Sequence, residues 1–206
     1  MDKKESLESL LDPEKRVEVK LESALSEIKK PNVVLVVIES DHYSAIQTGL
    51  LDFLKKRSDN GVFVSVNKAL VNLFDSPQKV LEDQKTVFVD LVSETAGTEK
   101  LSGENVHYLE SPKNLLELTM QIEQALEKNP KNQQFLILDS LSTLLLYNKP
   151  EPLEKFVHQL VGKIRGLQAL GIFLMVRLKE NQDTIRVISQ FCDHTIEITE
   201  NESRTE

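Results

Sequence analysis

"VVLVVIESDHYSAIQTGLLDFL", residues Val33 to Leu54, decides the fold. Its first six residues form an unbroken apolar, largely β-branched run, the mark of a strand buried on both faces. Its second half places Ile46, Leu50, Phe53 and Leu54 on one face of an amphipathic helix. A buried strand feeding a helix is the opening of a βα unit. The junction between them, Glu39 to Ser44, contains neither glycine nor lysine.

The same alternation continues along the chain. "GVFVSV" (Gly61 to Val66), "TVFVDLV" (Thr86 to Val92), "QFLILDS" (Gln134 to Ser140), "GIFLMVR" (Gly171 to Arg177) and "HTIEI" (His194 to Ile198) read as strands, and "VHYLE" (Val106 to Glu110) as a short extended piece. Ser76-Pro77 and Ser111-Pro112 read as helix starts, a capping hydroxyl followed by proline at the first helical position. The second of these opens a helix with Leu115, Leu118, Ile122 and Leu126 on one face. A helix from Glu151 to Leu167 buries Leu153, Phe156, Leu160, Ile164 and Leu167. The polar stretch "SETAGTEKLSGEN" (Ser93 to Asn105) reads as an exposed loop.

Before Pro31 the composition differs. Lys and Glu are dense, and Val17, Leu21, Leu25 and Ile28 recur at helical spacing from about Glu14 to Lys30. Such a helix either packs on its own domain or serves docking and oligomerisation, in cis or in trans. The expected organisation is a charged helical arm (1–30), an α/β core with a mainly parallel sheet (31–199) and a disordered tail (200–206). Ligands of such sheets bind outside the C-terminal strand ends. Those ends carry Glu39-Ser40-Asp41, Asn67-Lys68, Asp139-Ser140, Arg177 and Lys179.

Composition narrows the function classes. A net charge of −8 over 206 residues disfavours nucleic-acid binding, which runs on phosphate neutralisation by Lys and Arg. No apolar stretch approaches the ~20 residues of a membrane span, and "MDKKESLESLL" is too charged for a signal peptide. The single cysteine, Cys192, excludes an internal disulfide, fits a cytoplasmic location and reads as a buried, inert thiol. Asp41, His42 and Ser44 are too close in sequence to align as a catalytic triad. His42, His107, His158 and His194 lack metal-ligand spacing.

The order of pieces resembles a known family. "QFLILDSLSTLLLYN", "KFVHQLVGKIRGLQALGIFLMV" and "ISQFCDHTIEI" resemble the C-terminal half of RecA/KaiC-like P-loop ATPase domains, especially archaeal ones, and "VFVDLVS" with "NVHYLESPKNLLELTMQIEQAL" resembles their middle. The resemblance spans Pro31 to Ile198 and implies a RecA-like three-layer α/β/α domain with the Val33–Ile38 strand central. It implies that Asp139, followed by Ser140, matches the Walker B carboxylate that holds Mg²⁺ through water. The residues themselves also admit a simpler role, a carboxylate capping the next turn.

Against that family the junction is degenerate. A working phosphate loop, G-x-x-x-x-G-K-[ST], uses glycines for backbone approach, Lys for charge and Ser/Thr for Mg²⁺. By the resemblance, Ser40 and Ala45 stand at the two glycines, Ile46 at the lysine and Gln47 at the Ser/Thr. Glu39 and Asp41 add charge of the wrong sign: two like charges ~5 Å apart repel by about 3 kcal/mol at an effective dielectric near 20. The family's water-activating acid after the next strand is replaced by Asn67-Lys68, neither a general base at neutral pH.

The expected function is therefore a catalytically inactive RecA/KaiC-like domain without cofactor. It would be a regulatory or scaffolding protein-interaction module in signalling that self-associates or pairs with an active relative. Lys68, Arg177 and Lys179 are expected to converge on Glu39, Asp41 and Asp139 as an ion-pair network. The enzymatic alternative is an ATPase with an unconventional loop, using Asp139, Asp41, ATP and Mg²⁺. A DNA-recombination accessory is the third reading, opposed by the net charge.

Overall fold

The computed structural model describes residues 13–29, 31–39, 43–58, 60–74, 76–128 and 134–198. The strands are β1 (Asn32–Ile38), β2 (Asn60–Ser65), β3 (Thr86–Asp90), β4 (Val106–Tyr108), β5 (Gln134–Asp139), β6 (Leu170–Val176) and β7 (His194–Ile198). The helices are α1 (Pro13–Ser26), α2 (Tyr43–Arg57), α3 (Gln78–Leu81), α4 (Ser93–Ala96), α5 (Leu115–Glu127), α6 (Leu141–Tyr147), α7 (Pro150–Gly166) and α8 (Gln182–Ser189). Two 3₁₀ turns, Leu70–Asn72 and Lys179–Asn181, complete the set.

All seven strands pair in parallel, in the order β4-β3-β2-β5-β6-β1-β7. Every residue of β2 and β5 is buried, which is why these strands read as apolar runs without alternation. The two faces are nonetheless distinct. Val33, Leu35 and Val37 pack with Leu118 and Ile122 of α5, Leu160 and Ile164 of α7 and Ile185 of α8. Val34, Val36 and Ile38 pack with Leu21 and Leu25 of α1 and with Ile46, Leu50 and Leu54 of α2. The result is a three-layer α/β/α domain with a RecA-like arrangement. No helix among the described residues is long and apolar enough to cross a membrane.

One packing detail explains a glycine. Gly61 of β2 lies opposite Phe135 of β5, and a Cβ at Gly61 would meet the phenyl ring at 2.5 Å. The ring covers the bare backbone, so the buried aromatic and the missing side chain fit each other.

Several elements differ from expectation. β1 has β6 on one side and β7 on the other, so it lies next to the sheet edge, and the central strand is β5. The helix expected from Ser111-Pro112 starts later, with Asn114 as N-cap accepting from the Glu117 amide at 3.1 Å. Pro77 is the N-cap of α3 rather than its first residue. Ser93–Ala96 forms a helical turn within the expected loop, closed by Gly97 in the left-handed region at φ 63°. This is the C-terminal position glycine favours. β3 stops at Asp90 because its carboxylate captures the amides of Val92 and Ser93 at 2.7 and 2.8 Å, turning the chain out of the sheet. α6 and α8 are additional helices.

The arm helix ends at Ser26, short of Lys30, and docks in cis. Val17, Leu21 and Leu25 are buried against α2 and the β7 edge. Residues 1–12 of the arm and the expected tail 200–206 lie outside the described residues.

Candidate functional site

The C-terminal ends of β1, β2, β5 and β6 converge on Asp139. Register pairs Asp139 with Ser65 of β2 and Leu174 of β6, and the Val66 amide donates to the Asp139 carbonyl at 2.6 Å. The Asp139–Ser140 peptide is cis. Ser140 is the N-cap of α6, its hydroxyl 3.1 Å from Thr143 Oγ1 and 2.9 Å from Ser142 Oγ. Ser142 Oγ in turn accepts from the Val176 amide at 3.2 Å, tying α6 to the end of β6. Capping thus falls to Ser140, and the Asp139 side chain points elsewhere.

It points at α2. Gln47 Nε2 donates to Asp139 Oδ2, joining residues far apart in sequence. Both side chains are sequestered, Gln47 1 % and Asp139 0 % exposed. Among the described residues Asp139 Oδ1 has no hydrogen-bond partner and no cation lies beside the carboxyl. Burial therefore pushes the Asp139 carboxyl up to about 8. At neutral pH it is predominantly the neutral acid, hydrogen-bonded to a neutral amide. Ile46, the preceding residue of α2, is 0 % exposed and packs in the apolar core on that face.

Other expected residues lie just beyond the ends of β1 and β2. Glu39 follows β1, half-buried, its amide donating to the Ile198 carbonyl at 3.2 Å. Asn67 is exposed and Lys68 half-buried beyond β2, where the Lys68 carbonyl accepts from Ser65 Oγ at 2.5 Å. Ser40, Asp41 and His42 lie outside the described residues, as do the side chains of Ser44 and Ala45. Of the cations expected to converge on Glu39, Asp41 and Asp139, Arg177 pairs with Glu197 at 2.7 Å and Lys179 sits exposed in its 3₁₀ turn, and none is paired with Asp139 among the described residues.

Asp90, which the sequence reading passed over, shows the opposite treatment of a buried carboxyl at a strand end. It is 0 % exposed and accepts from the amides of Leu70, Val92 and Ser93 and from Ser93 Oγ, all at 2.7–2.9 Å. These bonds fix the turn after β3 and the 3₁₀ turn after β2, so Asp90 shapes the rim of the site. Its local signal was legible: an Asp at a strand end followed three residues later by Ser is an Asx-type turn.

Other reactive groups stand apart. Cys192 packs against the core, and burial pushes its thiol up to about 12, which makes it inert. His158 is exposed on α7, its ring centroid 4.9 Å from that of Phe191 and tilted 60° to it. Among the described residues no group of three His, Cys, Asp or Glu side chains is placed to hold a metal ion.

Solved structures carry this architecture. An uncharacterized protein of Pyrococcus horikoshii, PH0321, crystallised with an unknown peptide, superposes with a TM-score of 0.64 at 14% identity, covering 87% of this chain and 82% of its own. The KaiC-like protein PH0186 of Pyrococcus horikoshii OT3 superposes with a TM-score of 0.58 at 13% identity, covering 84% of this chain and 74% of its own. At such identities the likeness is one of fold, and that fold is RecA/KaiC-like. No curated protein matches by sequence. The model of a family of unknown function, DUF7504, matches residues 34–198, and the chain belongs to that family.

Proposed function

We propose that this protein is a RecA/KaiC-like domain that does not hydrolyse ATP and serves as a regulatory or scaffolding protein-interaction module, in a signalling role within the cytoplasm. The observation that carries the reading is the Gln47–Asp139 pair. The helix position that would offer a hydroxyl to Mg²⁺ instead offers an amide, and that amide is spent on the carboxyl that would share the metal. The neighbouring position, a lysine in phosphate loops, is Ile46 buried in the core.

Mg·ATP is a poor fit to these groups. A carboxyl held near pKa 8 is neutral at pH 7, and a neutral acid is a weak partner for a hard cation. Holding a triphosphate requires positive charge, and the residue beside Gln47 supplies an alkyl chain. The degenerate loop, the absence of a general base at Asn67-Lys68 and a cofactor-free state follow as one reading. The peptide crystallised with PH0321 supports the view that this fold receives polypeptide ligands.

One observation favours the enzymatic alternative: Asp139 Oδ1 is buried without a partner among the described residues, and a metal-bound water would satisfy it. Hydrolysis separates the readings. Purified protein with Mg·ATP should release no phosphate above buffer. Turnover that disappears in Asp139→Ala would overturn the proposal.

A further inference from the structure

The two edges of the sheet are finished differently. At β4 the Phe88 amide donates to the Asn105 carbonyl at 2.8 Å, so Asn105 faces β3 and the next residue, Val106, turns its backbone groups outward. That outward amide is already used, donating to the Gly103 carbonyl at 3.2 Å. The Tyr108 hydroxyl also holds the Leu101 backbone, accepting from its amide at 2.6 Å and donating to its carbonyl at 3.1 Å. β4 itself is only three residues long. Short strands covered by their own loops are one way sheets blunt an edge.

β7 is left open. The Glu39 amide donates to the Ile198 carbonyl at 3.2 Å, so Ile198, Ile196 and His194 face β1. By alternation Thr195 and Glu197 turn their N–H and C=O groups outward, and these groups have no partner among the described residues. α1 packs on the face that carries Ile196 and Ile198, while Thr195 and Glu197 stay exposed. "HTIEI" contains no proline or lysine, and its register with β1 runs unbroken over five residues, without a bulge. Its one carboxylate, Glu197, is drawn away to Arg177 at 2.7 Å. Beside the edge lies a cleft of about 560 Å³, lined by Ala24 of α1, Glu27 and Ile28 just after it, and His194, Thr195 and Ile196 of β7.

This open edge is self-complementary. Thr195 and Glu197 stand on either side of Ile196, the middle residue of β7. A two-fold axis through Ile196 lays a second β7 antiparallel beside the first, with Thr195 opposite Glu197 of the second copy, twice over. Each of those pairs exchanges both of its N–H···O bonds. On the α1 face Ile196 meets its own copy, beside the cleft. On the other face the Thr195 hydroxyl lies opposite the Glu197 carboxylate of the second copy. Along the strand no charge is set against itself.

We propose that the β7 edge is a two-fold interface through which two copies of this chain join their sheets into one. The inference rests on the interaction-module reading and names the surface and the occupant that reading lacks. Any extended strand can use the outward backbone groups. The placement of Thr195 and Glu197 about Ile196, which matches apolar to apolar and hydroxyl to carboxylate, favours the chain's own β7.

The test uses the full chain in sedimentation equilibrium and in cysteine cross-linking. The natural protein should show a reversible monomer–dimer equilibrium. Thr195→Pro removes an outward amide that no bond within one copy uses, so the dimer should weaken at least about tenfold while the melt of the dilute monomer stays nearly unchanged. Ile196→Lys, which sets two ammonium groups face to face on the axis, should weaken it as much. The register is tested separately. Only the residue on the axis lies opposite its own copy, at a Cα separation of about 4.5 Å, within reach of a disulfide. Mild oxidation should therefore link Ile196→Cys into a covalent dimer. Thr195→Cys is more exposed but about 7–8 Å from its own copy on the diagonal, and it should not link. Nor should the natural chain, whose one cysteine is Cys192. The inference is overturned by a monomer at every concentration, by a dimer indifferent to both Thr195→Pro and Ile196→Lys, or by Thr195→Cys linking as readily as Ile196→Cys. A monomer that carries a copurifying peptide, found by mass spectrometry and lost in Thr195→Pro, assigns the edge to a foreign strand and also overturns it. A monomer without ATP hydrolysis overturns this inference alone, and a dimer that hydrolyses ATP overturns the inactive-domain reading alone.

Discussion

Replacing Asp139 by Asn tests the electrostatics of the site directly. Asn keeps the shape of the neutral acid and cannot ionise. The wild-type carboxyl is held at about 8 in the folded protein, against an ordinary value of 3.8. For an acid raised by folding, the two states bind protons equally below pH 3.8. Between that value and pH 8 the unfolded chain ionises while the folded chain does not. Stability therefore falls as pH rises, by about 1.4 kcal/mol per pH unit, until the folded group also ionises. At pH 7 the burial of this one carboxyl costs about 4 kcal/mol relative to a neutral isostere. Asp139→Asn should accordingly be more stable than wild type at pH 7, by several kcal/mol. The gain should shrink by about 3 kcal/mol when the comparison moves to pH 5. Urea unfolding of both proteins at pH 5, 6 and 7 measures it, because every other titrating group cancels in the difference. A difference between the two that does not change with pH would show that Asp139 is ionised in the folded protein, and the account of the site would fail.

Three further outcomes are expected. Gly61→Ala should destabilise the protein by about 1–3 kcal/mol in urea unfolding, because the new Cβ meets the Phe135 ring at 2.5 Å. Leu21→Ala should cost about 2–5 kcal/mol in the same assay, since Leu21 is 2 % exposed; a change below 0.5 kcal/mol would show that α1 is not part of the cooperative unit. Cys192 should react with iodoacetamide at pH 7.5 orders of magnitude more slowly in the folded than in the unfolded chain, because burial lifts its thiol from 9.0 to about 12 and removes the reactive thiolate.

The sheet was legible in the sequence because parallel strands covered on both faces are written as continuous apolar runs. Val33–Ile38, Phe135–Leu138 and Gly171–Val176 are such runs, and their shortness favoured strand over buried helix. The elements that escaped are those whose patterns are blurred. α6 follows β5 after a single residue, so "LSTLLLY" continues an apolar run with no change of period. α8 has only 8 residues, too few to establish a helical repeat. The start of α5 was misplaced because Ser111-Pro112 and Asn114 both offer capping chemistry, and only the fold decides between them.

The site was legible only in part. Asp139 could be found from its strand, since an apolar run ending in Asp is a local pattern. Its partner could not, because Gln47 lies on a helix 92 residues earlier and nothing in "AIQTG" points to a carboxyl. The same limit bears on the partners expected for Asp139. Asp139, Arg177 and Lys179 all belong to the sheet's C-terminal edge, but burial decides which of them carries a charge, and burial is a property of the packed chain.

The central claim is that the space a nucleotide would need has been taken over by Ile46 and the Gln47–Asp139 pair. Equilibrium titration with a fluorescent ATP analogue, with and without Mg²⁺, tests it most directly. The account predicts no saturable signal at millimolar nucleotide in either condition. Saturable binding that requires Mg²⁺ and weakens in Asp139→Asn would contradict it.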